Sequence, residues 1–238
     1  MIPLIIANWK MNLTLEESIT FCNKLTSNPY TTDLIVCPPT PYLAYLANKF
    51  MSIKFCAQNI SVLPGYGSYT GEYSSIMIKE CFTDYVLIGH SERRDMFCES
   101  NETIRQKSIN AFKAGVTPII CVGEPWENRV NGSYKEFLLT QLAESLPIDQ
   151  EFSNLVIGYE PIWSIGTGLV PSDEELTEIF DIINSFLKQS YVANNISLVY
   201  GGSVNLDNVK KILNLKNISG VLVGKASLDS ETLLQMLR

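Results

Sequence analysis

Eight short runs of apolar, largely β-branched residues punctuate the chain, at 4–7, 33–36, 53–57, 85–88, 117–121, 155–158, 197–200 and 220–223. The runs are continuous rather than alternating, the pattern of parallel strands covered on both faces. Their starts lie about thirty residues apart on average, the length of one βα unit. Between most of them the periodicity turns helical. Thr14 with Glu17 forms a capping box ahead of Ile19, Cys22 and Leu25, and Ser172 with Glu175 forms another ahead of Leu176, Ile179, Phe180, Ile183 and Phe186. Tyr134, Phe137, Leu138, Gln141, Leu142 and Ser145 share one face of a later helix, and Leu233, Leu234 and Leu237 close the chain. No linker or shift in composition divides the pattern. It predicts an α/β fold, a closed (β/α)8 barrel, with residues 1–238 as a single domain. The competing arrangement, an open doubly wound sheet, would carry GxGxxG after its first strand, and that fingerprint is absent.

A closed barrel gathers its chemistry just beyond the C-terminal ends of its strands. Taken in order, those positions hold Asn8 and Lys10, then Gln58 and Asn59, then Gly89-His90-Ser91-Glu92, Gly123-Glu124, Glu160, Gly201-Gly202-Ser203, and Gly224-Lys225. Residues far apart in sequence are therefore expected on one rim.

Composition narrows the partners. Of the 238 residues 46% are hydrophobic and 18% charged, enough to bury a large core. The net charge of -7 comes with no basic run, so nucleic acid is not an expected partner. A small anionic substrate stays compatible, because a few local donors outweigh a distant net charge. The six cysteines include no CxxC pair and several sit in strand-like runs, so they read as reduced, small core residues. The apolar start lacks a preceding cation and no later run is long enough to span a bilayer, so no membrane role and a cytoplasmic location are expected.

Three rim residues carry the chemical argument. His90 is the only histidine. A lone histidine is more often a hydrogen-bonded structural residue. Here it ends a strand and abuts Ser91, read as the N-cap of the next helix, whose backbone N–H groups disfavour a charged ring and leave a neutral donor. Glu160 would ordinarily be a solvated loop glutamate. It lies instead beneath an apolar arm, 161–171, whose closure would strip its water and raise its basicity. Lys10 follows a strand directly, between Trp9 and Met11, and reads as the fixed cation. A desolvated carboxylate, a neutral donor and a cation suit removal of a proton from carbon beside a carbonyl, with the resulting oxyanion stabilised by the other two. This chemistry needs no metal and no cofactor, and one histidine with scattered cysteines lacks metal-ligand spacing. Gly201-Gly202-Ser203, placed between the seventh strand and a helix, together with Gly224, Lys225 and the arm's Gly166, reads as a phosphate site built from backbone N–H groups.

The ordered motifs Asn8-Trp9-Lys10-Met11-Asn12, Gly89-His90-Ser91-Glu92-Arg93-Arg94, Cys121-Val122-Gly123-Glu124, Tyr159-Glu160-Pro161-Ile162-Trp163 with Ile165-Gly166-Thr167-Gly168, and Tyr200-Gly201-Gly202-Ser203-Val204 make the chain resemble the triosephosphate isomerase family over essentially its whole length. The resemblance implies a TIM barrel that interconverts dihydroxyacetone phosphate and glyceraldehyde 3-phosphate, in glycolysis and gluconeogenesis and beside the pentose phosphate route. It implies Glu160 as the base, His90 as the electrophile, Lys10 as support for the enediolate with Asn8 beside it, and Glu92 as a second glutamate nearby. Gly166, Ser203, Gly224 and Lys225 would hold the substrate phosphate beneath a lid spanning 161–171. It implies a homodimer whose third loop, Gly67-Ser68-Tyr69-Thr70-Gly71-Glu72, enters the partner subunit, with Thr70 at the contact and Glu72 supporting it.

Three residues depart from the family's common pattern: Leu169 and Pro171 at the lid's second hinge, and Lys225 where glycine is usual. The third loop is about one residue longer than usual. Two other readings compete: a barrel acting on a bulkier sugar or indole phosphate, and a non-catalytic barrel used for binding. The long lid over Glu160 argues for a substrate of about three carbons, and an idle barrel would be expected to lose Glu160, His90 or Lys10.

Overall fold

In the computed structural model, which describes residues 2–147, 152–191 and 193–238, β1 (Leu4–Asn8) pairs in parallel with both β2 (Asp33–Cys37) and β8 (Gly220–Val223). The sheet runs on through β3 (Lys54–Ala57), β4 (Tyr85–Ile88), β5 (Thr117–Val122), β6 (Phe152–Tyr159) and β7 (Ala193–Tyr200), and so closes into an eight-stranded parallel barrel in sequence order. All eight expected strands are present, and their C-terminal ends lie within one residue of expectation. β6 and β7 extend further at their N-terminal ends, where Asn154 and Asn195 pair across the strands and their side chains hydrogen-bond at 3.2 Å. Polar residues there masked the strand pattern. The single-domain expectation also covers residues 1, 148–151 and 192, which lie outside the described residues.

The continuous apolar runs follow from burial on both faces. Alternate side chains point into the barrel, where Ile6, Ile35, Cys37, Cys56, Leu87, Ile119, Cys121, Val156, Val199 and Leu222 pack together. The intervening positions, among them Ile5, Ala7, Val36, Val86, Ile120 and Val122, face the helices. Burying each such aliphatic side chain contributes about 1.5–3 kcal/mol.

The helices are α1 (Leu15–Ser27), α2 (Thr40–Lys49), α3 (Ser75–Glu80), α4 (Ser91–Met96), α5 (Asn101–Lys113), α6 (Trp126–Val130), α7 (Tyr134–Ser145), α8 (Asp173–Ser190), α9 (Val209–Leu213) and α10 (Ser230–Met236). Both capping boxes form. Thr14 and Ser172 each accept the N–H of the residue three on, while Glu17 and Glu175 reach back to the cap N–H. Each such cap stabilises its helix by about 1 kcal/mol. The inward faces of α1, α8 and α10 bury the periodic residues, with Leu176, Ile179, Phe180 and Ile183 all inside and Phe186 partly so. All six cysteines are free thiols; four are buried, Cys81 is half-buried and Cys98 is exposed.

Two local expectations are corrected. The cap of α4 is His90, not Ser91: the His90 imidazole accepts the Glu92 N–H, and Ser91 is the first helical residue. Gly201-Gly202-Ser203 does not abut a helix either. A turn at 204–208, in which Asn205 and Asn208 accept backbone N–H groups, separates it from α9. A polar turn of this kind competes with helix for the same donors. By contrast Gly224 leads straight into a 3-10 turn, Lys225–Leu228.

Candidate active site

A cavity of about 800 Å³ opens at the C-terminal end of the barrel. Asn8, Lys10, His90, Glu160, Gly166, Ser203, Gly224 and Lys225, drawn from five different strand-end loops and the lid, all line it. Thr70 and Glu72 do not; they sit exposed on the third loop. Glu92 lies beside the cavity, reaching Lys10 from the first turn of α4.

Glu160 follows the end of β6 and is 1% exposed. Its backbone N–H bonds the Val122 carbonyl at 2.7 Å, continuing the β5–β6 ladder by one rung. Gly123 makes this approach possible, because a Cβ at that position would run into the Glu160 carbonyl. One carboxylate oxygen, Oε2, accepts the Ser91 N–H at 3.2 Å. The other, Oε1, is buried and has no hydrogen-bond partner. It faces the His90 Nε2 at 3.4 Å. A buried carboxylate oxygen without a donor is costly and marks a place kept for a partner.

His90 is held from behind. Its Nδ1 accepts the Glu92 N–H at 3.2 Å, which uses that nitrogen's lone pair. The ring is thereby fixed as the neutral tautomer with its proton on Nε2, directed at the cavity. The Glu92 carboxylate stands further from Nδ1, at 3.5 Å, and spends Oε1 on the Lys10 Nζ at 2.6 Å.

Lys10 adopts φ +52°, a left-handed conformation that a lysine rarely takes. Both of its peptide groups are gripped: Asn8 Oδ1 accepts the Lys10 N–H at 3.0 Å, and Gln58 Nε2 donates to the Lys10 carbonyl at 2.8 Å and to the Cys37 carbonyl at 2.9 Å. Strain of this kind persists only where the surroundings over-determine it. The result is a side chain 28% exposed, its ammonium carried across the rim to Glu92.

The lid is rooted on both sides. At its first stem Trp163 donates Nε1–H to Glu124 Oε1 at 3.0 Å, and Tyr159 donates its hydroxyl to the same oxygen at 3.0 Å. Trp126 packs edge-on to Trp163, and the Arg129 guanidinium lies 6.0 Å over its ring. Glu124 is fully buried, and burial raises its pKa above the usual carboxyl value against those hydrogen bonds. Burial likewise pushes the Cys121 thiol well up, and the Glu160 charge beside it adds to the effect, so the thiol stays protonated next to that carboxylate. On the far side Ser203 accepts the Gly168 N–H at 3.3 Å and donates to the Ser164 carbonyl at 2.6 Å.

Sequence reasoning placed the three reactive groups and the phosphate loops together, and the structure brings them onto one cavity. It missed Gln58, Glu124, Arg129 and Ser164 as supports. Glu124 was visible as a carboxylate after the fifth strand, but only the fold shows that it holds Trp163 rather than substrate. Among the described residues no three His, Cys, Asp or Glu side chains converge as a metal cluster, and no helix is long and apolar enough to cross a membrane.

A family model described as triosephosphate isomerase matches residues 3–238. A triosephosphate isomerase from Wolbachia sp. subsp. Brugia malayi is 43% identical over 228 residues, covering 95% of this chain and 92% of that protein. Triosephosphate isomerases from Thermodesulfovibrio yellowstonii and Dictyoglomus thermophilum are 41% and 40% identical, covering 94% and 96% of this chain and the same shares of their own lengths. With a family match across the length of the barrel, and a carboxylate, an imidazole and an ammonium converging at its mouth, the chain belongs to the triosephosphate isomerase family, the isomerases of triose phosphates.

Proposed function

We propose that Glu160 moves the proton in the interconversion of dihydroxyacetone phosphate and glyceraldehyde 3-phosphate, with His90 and Lys10 stabilising the enediolate between them. The observation that carries this assignment is the unpartnered Glu160 Oε1, buried at the cavity floor and opposite the His90 Nε2. Glu160 takes a proton from the carbon beside the carbonyl. The electron pair left behind forms the carbon–carbon double bond, and charge passes to the carbonyl oxygen, where Nε2–H and the Lys10 ammonium meet it. Return of the proton to the neighbouring carbon, with one proton exchanged between the two oxygens through His90, completes the isomerisation. Asn8 and Glu92 position Lys10. Gly166, Ser203, Gly224 and Lys225, which line the same cavity, hold the phosphate.

The same reading takes residues 1–238 as one barrel unit, acting in the cytoplasm as a homodimer. Met11 (94% exposed), Tyr66, Tyr69, Met96 and Phe97 are large apolar side chains left in solvent by the single chain. They lie in the segments that follow the C-terminal ends of β1, β3 and β4, Tyr66 and Tyr69 within a few residues of Thr70 and Glu72 and Met96 and Phe97 at the end of α4. Clustered exposure of this kind marks an interaction surface.

Conversion of glyceraldehyde 3-phosphate by wild type and by Glu160→Gln is the decisive comparison. The amide keeps the shape and removes the base, so the variant is expected to be slower by about three orders of magnitude or more. Equal rates would overturn the assignment of Glu160. An inactive wild type would overturn the reaction itself.

A further inference from the structure

We propose that Ser164 is a positioning residue: its hydroxyl is the latch that joins both ends of the lid to the seventh-strand loop and thereby places the lid over the enediolate. The proposal rests on the isomerase reading above. Ser164 sits in the lid's first stem, in the 3-10 turn Ile162–Ser164, and is fully buried.

Its hydroxyl has three neighbours. The Leu169 carbonyl, from the lid's second stem, lies 2.5 Å from Oγ. The Tyr200 hydroxyl lies 3.1 Å away and the Ser203 N–H 3.2 Å away, both from the seventh-strand loop. A serine hydroxyl has one proton and two lone pairs. The Leu169 carbonyl can only accept and so takes the proton. The Ser203 N–H and the Tyr200 O–H therefore fill the lone pairs. Every bonding position of Oγ is used, one on the lid's second stem and two on the end of β7 and the loop that follows it.

The surroundings are built to the same geometry. Gly202 leaves the room: a Cβ there would collide with the Tyr200 hydroxyl and come within 2.7 Å of Ser164 Oγ. The Ser164 carbonyl accepts the Ser203 hydroxyl at 2.6 Å, and that same hydroxyl accepts the Gly168 N–H at 3.3 Å. Ser164 therefore helps fix where Gly168 and Ser203 stand, and both line the cavity. Removing one oxygen atom takes a partner from the Leu169 carbonyl, the half-buried Ser203 N–H and the buried Tyr200 hydroxyl together, which favours a displaced lid.

A displaced lid has a chemical signature. In an enediolate exposed to water the enediolate electron pair expels phosphate from the third carbon. That carbon–oxygen bond breaks, phosphate departs with its electrons, and the enol left behind gains a proton on its terminal carbon as it loses the one on its hydroxyl, becoming methylglyoxal. Free phosphate per turnover thus reports lid placement and not fold stability.

The experiment compares wild type, Ser164→Ala, Tyr200→Phe and the double variant. Isomerisation and released inorganic phosphate are read on the same glyceraldehyde 3-phosphate samples, with thermal unfolding as a control and amide hydrogen exchange at 166–168 as a direct probe of the lid. Ser164→Ala is expected to release about tenfold more phosphate per isomerisation, lower kcat/KM about tenfold and speed exchange at 166–168. Tyr200→Phe added to Ser164→Ala is expected to cost little more, because both remove the same junction. Unchanged phosphate release with unchanged exchange overturns the latch, as does a lowered unfolding temperature alone. Fully additive losses in the double variant overturn the shared junction. If wild type does not isomerise, the proposed reaction fails and the exchange comparison alone decides the latch.

Discussion

Ser91 donates its backbone N–H to Glu160 Oε2 at 3.2 Å, a bond between residues 69 apart in sequence that joins the loop after β4 to the loop after β6. The base is held by one oxygen and left free at the other. His90, the residue before Ser91, presents Nε2 to that free oxygen. One turn of chain therefore supplies both the anchor of the proposed base and the proposed electrophile facing it, which fixes their separation without any contact between long flexible side chains.

In the proposed reaction the Nε2–H of His90 is the donor that meets charge developing on the carbonyl oxygen. His90→Gln keeps a polar side chain but cannot place a donor at the same point. Its kcat is expected to fall by about two to three orders of magnitude with little change in KM, since the lost interaction matters most in the transition state. Steady-state kinetics in both directions checks this; a fall in affinity with kcat intact would sink the electrophile role.

Glu124 supplies a test with a worked sign. Burial raises its folded-state pKa above the ordinary carboxyl value of 4.5. A group raised on folding favours the folded state fully below its unfolded value and loses that contribution as pH rises through its folded value. The stability of wild type relative to Glu124→Gln, which cannot titrate, is therefore expected to decline between about pH 4 and about pH 7. Urea midpoints of the two proteins at both pH values measure the difference, and an increase with pH would contradict it.

Arg94 spans four acceptors with one guanidinium: the Gly89 and Cys121 carbonyls at 2.8 and 3.0 Å, Asn101 Oδ1 at 2.6 Å and Ser145 Oγ at 3.3 Å. Burial draws its pKa down to about 10, which leaves it charged at neutral pH. An ammonium cannot reproduce that fork. Arg94→Lys is expected to cost about 2–3 kcal/mol of stability, read as a lowered unfolding midpoint, and to lower kcat because Gly89 leads directly into His90. A midpoint equal to wild type would show that the fork carries no load.

The homodimer proposed through the third loop predicts that Thr70→Arg weakens self-association by about 2 kcal/mol or more, by placing a charge where an apolar surface closes. Sedimentation velocity across a dilution series checks it. A wild type that sediments at the mass of one chain would rule out the dimer, and a variant that associates as tightly as wild type would move the interface elsewhere.

Much of this architecture was legible in the chain itself. Eight continuous apolar runs state that each strand is covered on both faces, and with no GxGxxG after the first of them a closed parallel barrel is favoured over an open doubly wound sheet. Thr14 with Glu17 and Ser172 with Glu175 mark helix starts, because capping is a bond between residues three apart and needs no tertiary partner. Strand ends identified Lys10, His90 and Glu160 for the same reason: once the barrel is accepted, position along a strand decides position on the rim. The local reading failed where two local choices were nearly equal in energy. His90 rather than Ser91 caps α4, and a polar turn at 204–208 displaces the helix expected after Ser203.

Tertiary structure alone decided how the reactive groups are aimed. Nothing in the neighbourhood of Lys10 announces that Gln58, 48 residues on, grips its carbonyl and holds a lysine in a left-handed conformation. Nor does the sequence around Glu124 say that this carboxylate anchors Trp163 while Glu160 is left with a bare oxygen. Periodicity records which face of a strand or helix is buried, and that is a property of a residue and its near neighbours. The direction of a side chain at the barrel mouth depends on donors and acceptors contributed by other strands, and these come within hydrogen-bonding distance only when the sheet closes.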